Sequence, residues 1–151
     1  MDERIVMDER TVFQSISRKR VISVSPTASA RDAARVMTGA HFTSVLVVEQ
    51  PDILLGILTE RDLVARVLAK GLDPDATLAR DVMTANPICI PPETLVSDAV
   101  VLMLERGFRH LPLVSGGKVL GVFSALDALP REVGAAFGQV EFNEQVNDAL
   151  G

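Results

Sequence analysis

Val24-Ser25-Pro26-Thr27-Ala28-Ser29-Ala30-Arg31-Asp32-Ala33-Ala34-Arg35-Val36-Met37 returns later in the chain as Ile90-Pro91-Pro92-Glu93-Thr94-Leu95-Val96-Ser97-Asp98-Ala99-Val100-Val101-Leu102-Met103. Pro26 falls on Pro92, Asp32 on Asp98, Ala33 on Ala99 and Met37 on Met103, each pair 66 residues apart. The register runs on through Phe42 on Phe108 and Val48 on Val114. One residue is then lost in a loop, and Gly56 falls on Gly121, Thr59 on Ser124 and Asp62 on Asp127, 65 apart. The lead-ins also match, with Thr11-Val12 over Thr77-Leu78. The chain therefore reads as two copies of one unit, repeat 1 at 11–76 and repeat 2 at 77–135. A tail at 1–10 and a segment at 136–151 flank them. A copy this small buries its apolar face poorly alone, so the two are expected to pack on each other.

Within a copy the hydrophobic period changes in a fixed order. Val21 to Val24 alternates and stops at Pro26, as a short strand would. Ala30, Ala33, Ala34 and Met37 then recur at helical spacing, matched by Val96, Ala99, Val100 and Met103. Val45–Val48 and Leu54–Leu58 are short apolar runs, and Thr59-Glu60-Arg61-Asp62 opens a second helix that ends at Gly71. The predicted fold is α/β, two βαββα-like repeats packed with pseudo-twofold symmetry.

Composition narrows the function. The chain has 151 residues, 48% apolar and 23% charged, which is globular rather than disordered. The formal net charge of -5 and the absence of Trp and Tyr argue against a nucleic-acid surface. Cys89 is the only cysteine, so no intrachain disulfide is available. No apolar run approaches the length of a membrane span, and the charged start MDERIVMDER is unlike a signal peptide. A cytoplasmic protein that touches no membrane is expected.

The recurring element G-h-h-[ST]-x-x-D stands as Gly56 to Asp62 and as Gly121 to Asp127. It reads in two ways. Ser or Thr followed three residues on by an acid is a helix capping box. A carboxylate at a strand end beside free helix N–H groups is also suited to ribose hydroxyls, with Thr59 or Ser124 assisting. Phe108-Arg109-His110-Leu111-Pro112-Leu113-Val114 matches Phe42-Thr43-Ser44-Val45-Leu46-Val47-Val48, so Arg109-His110 replaces Thr43-Ser44. Those residues are either a solvated loop or a phosphate contact, for which a planar guanidinium is well shaped. Arg18-Lys19-Arg20 is a solvated run or a second source of positive charge. Glycine spacing excludes the usual dinucleotide and Walker loops. Neither His41, read as a helix-end residue, nor His110 makes a catalytic triad, and Cys89 reads as a buried strand residue rather than a nucleophile.

Taken together, V-x-P, D-A-x-x-x-M, R-H-L-P-L-V and G-h-h-[ST]-x-x-D, in this order and duplicated, resemble a tandem pair of cystathionine-beta-synthase (CBS) domains, a Bateman module, over roughly residues 11–131. Thr59-Glu60-Arg61-Asp62 with Phe108-Arg109-His110-Leu111-Pro112 especially resembles small stand-alone bacterial CBS-pair proteins. The resemblance implies clefts between the copies that take an adenosine-containing ligand: AMP, ATP, NAD or S-adenosylmethionine. By position it implies one pocket from Thr59, Arg61 and Asp62 with Cys89, Thr94, Phe108, Arg109 and His110. The other pocket joins Ser124, Leu126 and Asp127 to Ser23, Ala28, Phe42 and Thr43. Cys89 stands where such proteins often have Thr or Ser, so its backbone is the expected contact.

The expected function is a non-catalytic adenine-nucleotide sensor, a homodimer acting on a regulated protein in trans. The alternative is a structural or interaction homodimer with no physiological nucleotide. Neither an enzyme nor a DNA-binding protein is supported by any constellation of residues.

Overall fold

The computed structural model describes residues 10–16 and 19–129. Along the chain the elements are α1 (Val12–Ser15), β1 (Ser23–Val24), α2 (Ala30–Ala40), β2 (Ser44–Glu49), β3 (Ile53–Thr59) and α3 (Glu60–Asp62), which continues as a π-helix (Leu63–Leu68). There follow α4 (Ala79–Val82), β4 (Thr84–Ala85), α5 (Val96–Arg106), β5 (His110–Ser115), β6 (Lys118–Ser124) and a 3-10 turn (Ala125–Ala128). The expectation for residues 136–151 and for the tail at 1–9 lies outside the described residues.

The chain forms two compact units. One is continuous, Arg20–Ile88; the other is split, drawn from Met1–Lys19 and Cys89–Gly151. Each lead-in therefore belongs with the core of the other repeat. The sequence repeats and the compact units are different partitions of the chain, because a repeat is set by duplication and a unit by hydrogen bonds and packing.

In the continuous unit the strands run in the order β1-β2-β3-β4. β1 is parallel to β2, and the β2–β3 hairpin is antiparallel with a bulge between Val47 and Val48. The stripe read from the sequence buries Ala30, Ala33 and Met37 of α2 against Val45, Val47 and Leu58 of the sheet. Val67, Ala79 and Val82 close the same core, so α4 packs here rather than with the repeat it precedes. Ser29 caps α2 by accepting the Asp32 N–H at 3.0 Å. His41 ends it in the left-handed region (φ 60), the helix-end position expected of it. Gly56 is required where β4 crosses β3: a Cβ there would lie 2.5 Å from Met83 Sδ and 2.7 Å from the Thr84 carbonyl oxygen.

The split unit repeats this plan with less strand. β5 and β6 pair antiparallel, with the same bulge between Leu113 and Val114. The strand expected to lead repeat 2 is reduced to a parallel bridge, Ile90 with Leu113. Pro91 and Pro92 follow at once, and neither has an N–H to extend a ladder. Val96, Ala99 and Met103 of α5 are buried, as are Val12 of α1, Leu111, Leu113 and Phe123.

The lead-ins require one correction. Val12 donates its N–H to the Thr94 carbonyl at 2.8 Å, and the corresponding bond in the other unit runs from Ala79 to the Ala28 carbonyl at 2.7 Å. Phe13 to Pro92 is matched by Arg80 to Pro26. Thr11-Val12 is therefore equivalent to Leu78-Ala79, one residue later than the sequence alignment placed it. Thr11 caps α1, and Leu78 occupies the cap position of α4 without a side-chain bond. Matching the two threonines misled the alignment, since the Thr77 hydroxyl instead donates to the Asp73 carbonyl at 2.7 Å.

Candidate functional site

The motif residues sit where β3 and β6 end. Thr59 (φ -112, ψ 166) and Ser124 (φ -110, ψ 165) leave their strands in nearly the same extended conformation. Asp62 Oδ2 accepts the Thr59 N–H at 2.9 Å and the Thr59 hydroxyl at 3.2 Å. Asp127 Oδ2 accepts the Ser124 N–H at 2.9 Å and the Ser124 hydroxyl at 3.1 Å. Thr59 also accepts the Asp62 N–H at 3.3 Å. The capping-box reading is therefore realised in both copies. Whether the same carboxylates meet a ligand is a separate matter.

Asp62 has two further partners that the sequence reading missed. The Thr84 hydroxyl donates to Oδ1 at 3.4 Å, and Arg66 Nε forms an ion pair with that oxygen at 3.7 Å. Asp62 is only 7% exposed. Arg66 was findable, since Asp-to-Arg at i, i+4 is a known helix pairing. Thr84 gave no signal, because only the β3–β4 register, Ile57 opposite Thr84, brings it close.

Within the continuous unit the Thr43 carbonyl accepts the Glu60 N–H at 3.1 Å, and Ser44 pairs with Thr59 across the hairpin. Thr43 is exposed and Phe42 half-buried. Ser23 is exposed on β1, and Ala28 lies half-buried in the turn before α2. Arg61 is exposed beside Asp62. In the split unit the Arg109 carbonyl accepts the Ala125 N–H at 3.0 Å, and His110 pairs with Ser124. Arg109 is exposed, Phe108 and His110 half-buried, and Leu126 48% exposed. Thr94 is half-buried, and its N–H is bonded to the Pro91 carbonyl at 3.1 Å. Cys89 is exposed and lies outside any strand, against the buried strand position expected of it, because the lead to Pro91-Pro92 forms only the bridge at Ile90; partial burial still pushes its thiol above the usual range, which disfavours the reactive thiolate.

The strand start and the Asp motif thus adjoin in each unit, Thr43–Ser44 beside Thr59–Asp62 and Arg109–His110 beside Ser124–Asp127. Among the described residues no group of three or more His, Cys, Asp or Glu side chains is placed to hold a metal ion. No helix among them is long and apolar enough to cross a membrane.

The comparisons with known proteins agree with this architecture. The sequence profile of the CBS domain matches residues 13–69 and 79–132. An uncharacterized protein of Methanopyrus kandleri, MK0525, is 39% identical over 118 residues, 78% of this chain and 60% of that protein. The Arabidopsis thaliana CBS domain-containing protein CBSCBSPB2 is 34% identical over 121 residues, 80% of this chain but 22% of its own length. The chain thus spans less than two thirds of either relative. Among solved structures, a Burkholderia ambifaria MC40-6 protein, provisionally named as a signal-transduction protein with CBS domains, superposes with a TM-score of 0.72 at 30% identity. That match covers 78% of this chain and 87% of the other. With both repeats matched at the positions of the two Asp motifs, this chain belongs to the CBS domain family, as a tandem CBS pair.

Proposed function

We propose that this CBS pair is a non-catalytic regulatory module that binds an adenosine-containing ligand, AMP, ATP, NAD or S-adenosylmethionine. The observation that carries the reading is the repeated junction of strand start and Asp motif. In the split unit the Arg109 carbonyl accepts the Ala125 N–H, and the Arg109 side chain is exposed. A hydroxyl-accepting carboxylate and a phosphate-shaped guanidinium in one unit suit a nucleotide.

In this reading Asp62 and Asp127 accept ribose hydroxyls, with Thr59 and Ser124 alongside. Arg109 and His110 take phosphate. Phe42, Thr43, Ser23 and Ala28, and correspondingly Phe108, Cys89 and Thr94, frame the base, with Arg61 and Leu126 at the rim. The Burkholderia relative's name supports a signalling role. A homodimer acting on another protein in trans fits Leu68 (76% exposed) and Leu104 (79% exposed), apolar side chains that a partner would cover.

Calorimetry with AMP, ATP and NAD tests the reading, together with mass spectrometry of any ligand retained on purification. Asp127→Ala should weaken AMP binding roughly tenfold or more, since a hydrogen bond to a charged group contributes ~1.5–3 kcal/mol. The same titration of Arg109→Ala in the Asp62→Ala and Asp127→Ala backgrounds shows which carboxylate shares a ligand with Arg109. One observation favours the alternative, a structural homodimer: both carboxylates are already used as helix caps. Stability lost without any change in affinity would establish that alternative.

A further inference from the structure

We infer that Arg66 and Thr84 form a latch that a ligand must open to reach Asp62, and that ligand occupancy there is thereby coupled to the stretch 82–84. The inference rests on the nucleotide reading above. Asp62 accepts two bonds on Oδ2, from the Thr59 N–H and hydroxyl, at 2.9 and 3.2 Å. Its Oδ1 is shared by the Thr84 hydroxyl at 3.4 Å and Arg66 Nε at 3.7 Å. A carboxylate offers about four lone-pair sites; Oδ2 uses two of them, and Oδ1 holds one long hydrogen bond with the Arg66 ion pair beside it. The Asp62 side chain is also largely buried, 10% exposed. Two incoming hydroxyls therefore compete with these partners, and the longer Oδ1 contacts are the ones to yield.

What they release is specific. Arg66 Nη1 donates to the Met83 carbonyl at 2.8 Å and to the Val82 carbonyl at 3.3 Å, at the end of α4. The guanidinium thus has one edge on Asp62 and another on the last carbonyls of a helix, an arrangement that stabilises both ends. Thr84 begins β4, the last strand before the chain leaves this unit. A ligand that takes Oδ1 loosens both ties on 82–84 at once. Binding linkage makes the coupling reciprocal: removing the latch must strengthen ligand binding by the factor that ligand binding weakens the latch.

The experiment is calorimetric titration of the full chain with AMP, alone and as Arg66→Met and Thr84→Val, with amide hydrogen exchange of residues 83–86 in the absence of nucleotide. Each substitution should raise AMP affinity roughly two- to fivefold, the range of a partly exposed ion pair. Arg66→Met should also speed exchange at 83–86. A merely structural role predicts no gain, and an affinity unchanged or lowered in either variant overturns the inference while leaving nucleotide binding intact. Unchanged exchange in Arg66→Met overturns it as well. Wild-type protein that binds none of AMP, ATP, NAD or S-adenosylmethionine removes the adenosine-ligand reading itself, and the inference with it.

Discussion

Thr59–Asp62 and Ser124–Asp127 have almost the same local geometry and very different surroundings. Their cap torsions agree within a few degrees, and their first carboxylate bonds are both 2.9 Å. Beyond the cap they part. Glu60–Asp62 runs on into the π-helix Leu63–Leu68, which carries Arg66 back to Asp62. Ala125–Ala128 stops after one 3-10 turn, and Leu129 turns extended (φ -67, ψ 153). Leu129 precedes Pro130, whose ring disfavours a helical residue before it. The carbonyl left open is taken by Arg10 Nη2 at 3.1 Å. Duplication preserved the cap, while residues outside the motif decided how deeply each carboxylate is held.

The largest test of this contrast is stability. Asp62→Ala removes a cap and a buried network, and should cost about 2–4 kcal/mol. Asp127→Ala removes a cap on a half-buried turn and should cost less, about 0.5–2 kcal/mol. Urea unfolding of the two variants measures the gap, and equal losses would erase the distinction drawn between the sites.

The glycines of the two motifs sharpen it next. In Gly56→Ala the new methyl meets Met83 Sδ and the Thr84 backbone, which cannot step aside without moving β4. A loss of about 1–3 kcal/mol is expected. In Gly121→Ala it meets only Ile16 Cδ1, at 2.8 Å, the end of a flexible side chain. That substitution should cost less than its counterpart, and thermal melting of the pair ranks them.

A smaller effect separates the two strand starts. Arg109→Ala should lower AMP affinity by about tenfold and leave adenosine nearly unchanged, because charge-assisted bonds to phosphate have no partner in the nucleoside. Thr43→Ala should alter neither by more than about twofold, a neutral hydroxyl bond being the weaker kind. Titrations at low and high salt should show the Arg109 contribution fading as screening rises. The slightest difference expected is at Cys89. With its thiol shifted upward by burial, alkylation by iodoacetamide at neutral pH should be slower than for a free thiol and should accelerate as the pH is raised.

Much of this was legible in the chain. The helix stripes named Ala30, Ala33, Ala34 and Met37, and Val96, Ala99, Val100 and Met103; all are buried except Ala34 and Val100, which are half-buried. The capping boxes were readable because their partners lie three residues apart, within reach of one turn. Other features were not. The strand expected before α5 fails as a ladder because two prolines remove its donors, a penalty that a hydrophobic count does not register. The lead-in alignment erred by one residue because side-chain identity, Thr with Thr, outvoted backbone hydrogen bonding, which leaves no mark on sequence. Thr84 was invisible at Asp62, since 22 residues separate them.

By itself, then, the sequence determined the duplication, the order of elements, the faces that are buried and the caps at both motifs. These are local, set by side-chain period and by bonds across three or four residues. Only the tertiary structure decided that each lead-in packs with the other repeat's core, and that one motif carboxylate is enclosed by Arg66 and Thr84. Those outcomes depend on which backbone groups meet across a sheet, and such meetings are fixed by the register of β3 against β4 and by the close approach that Gly56 permits.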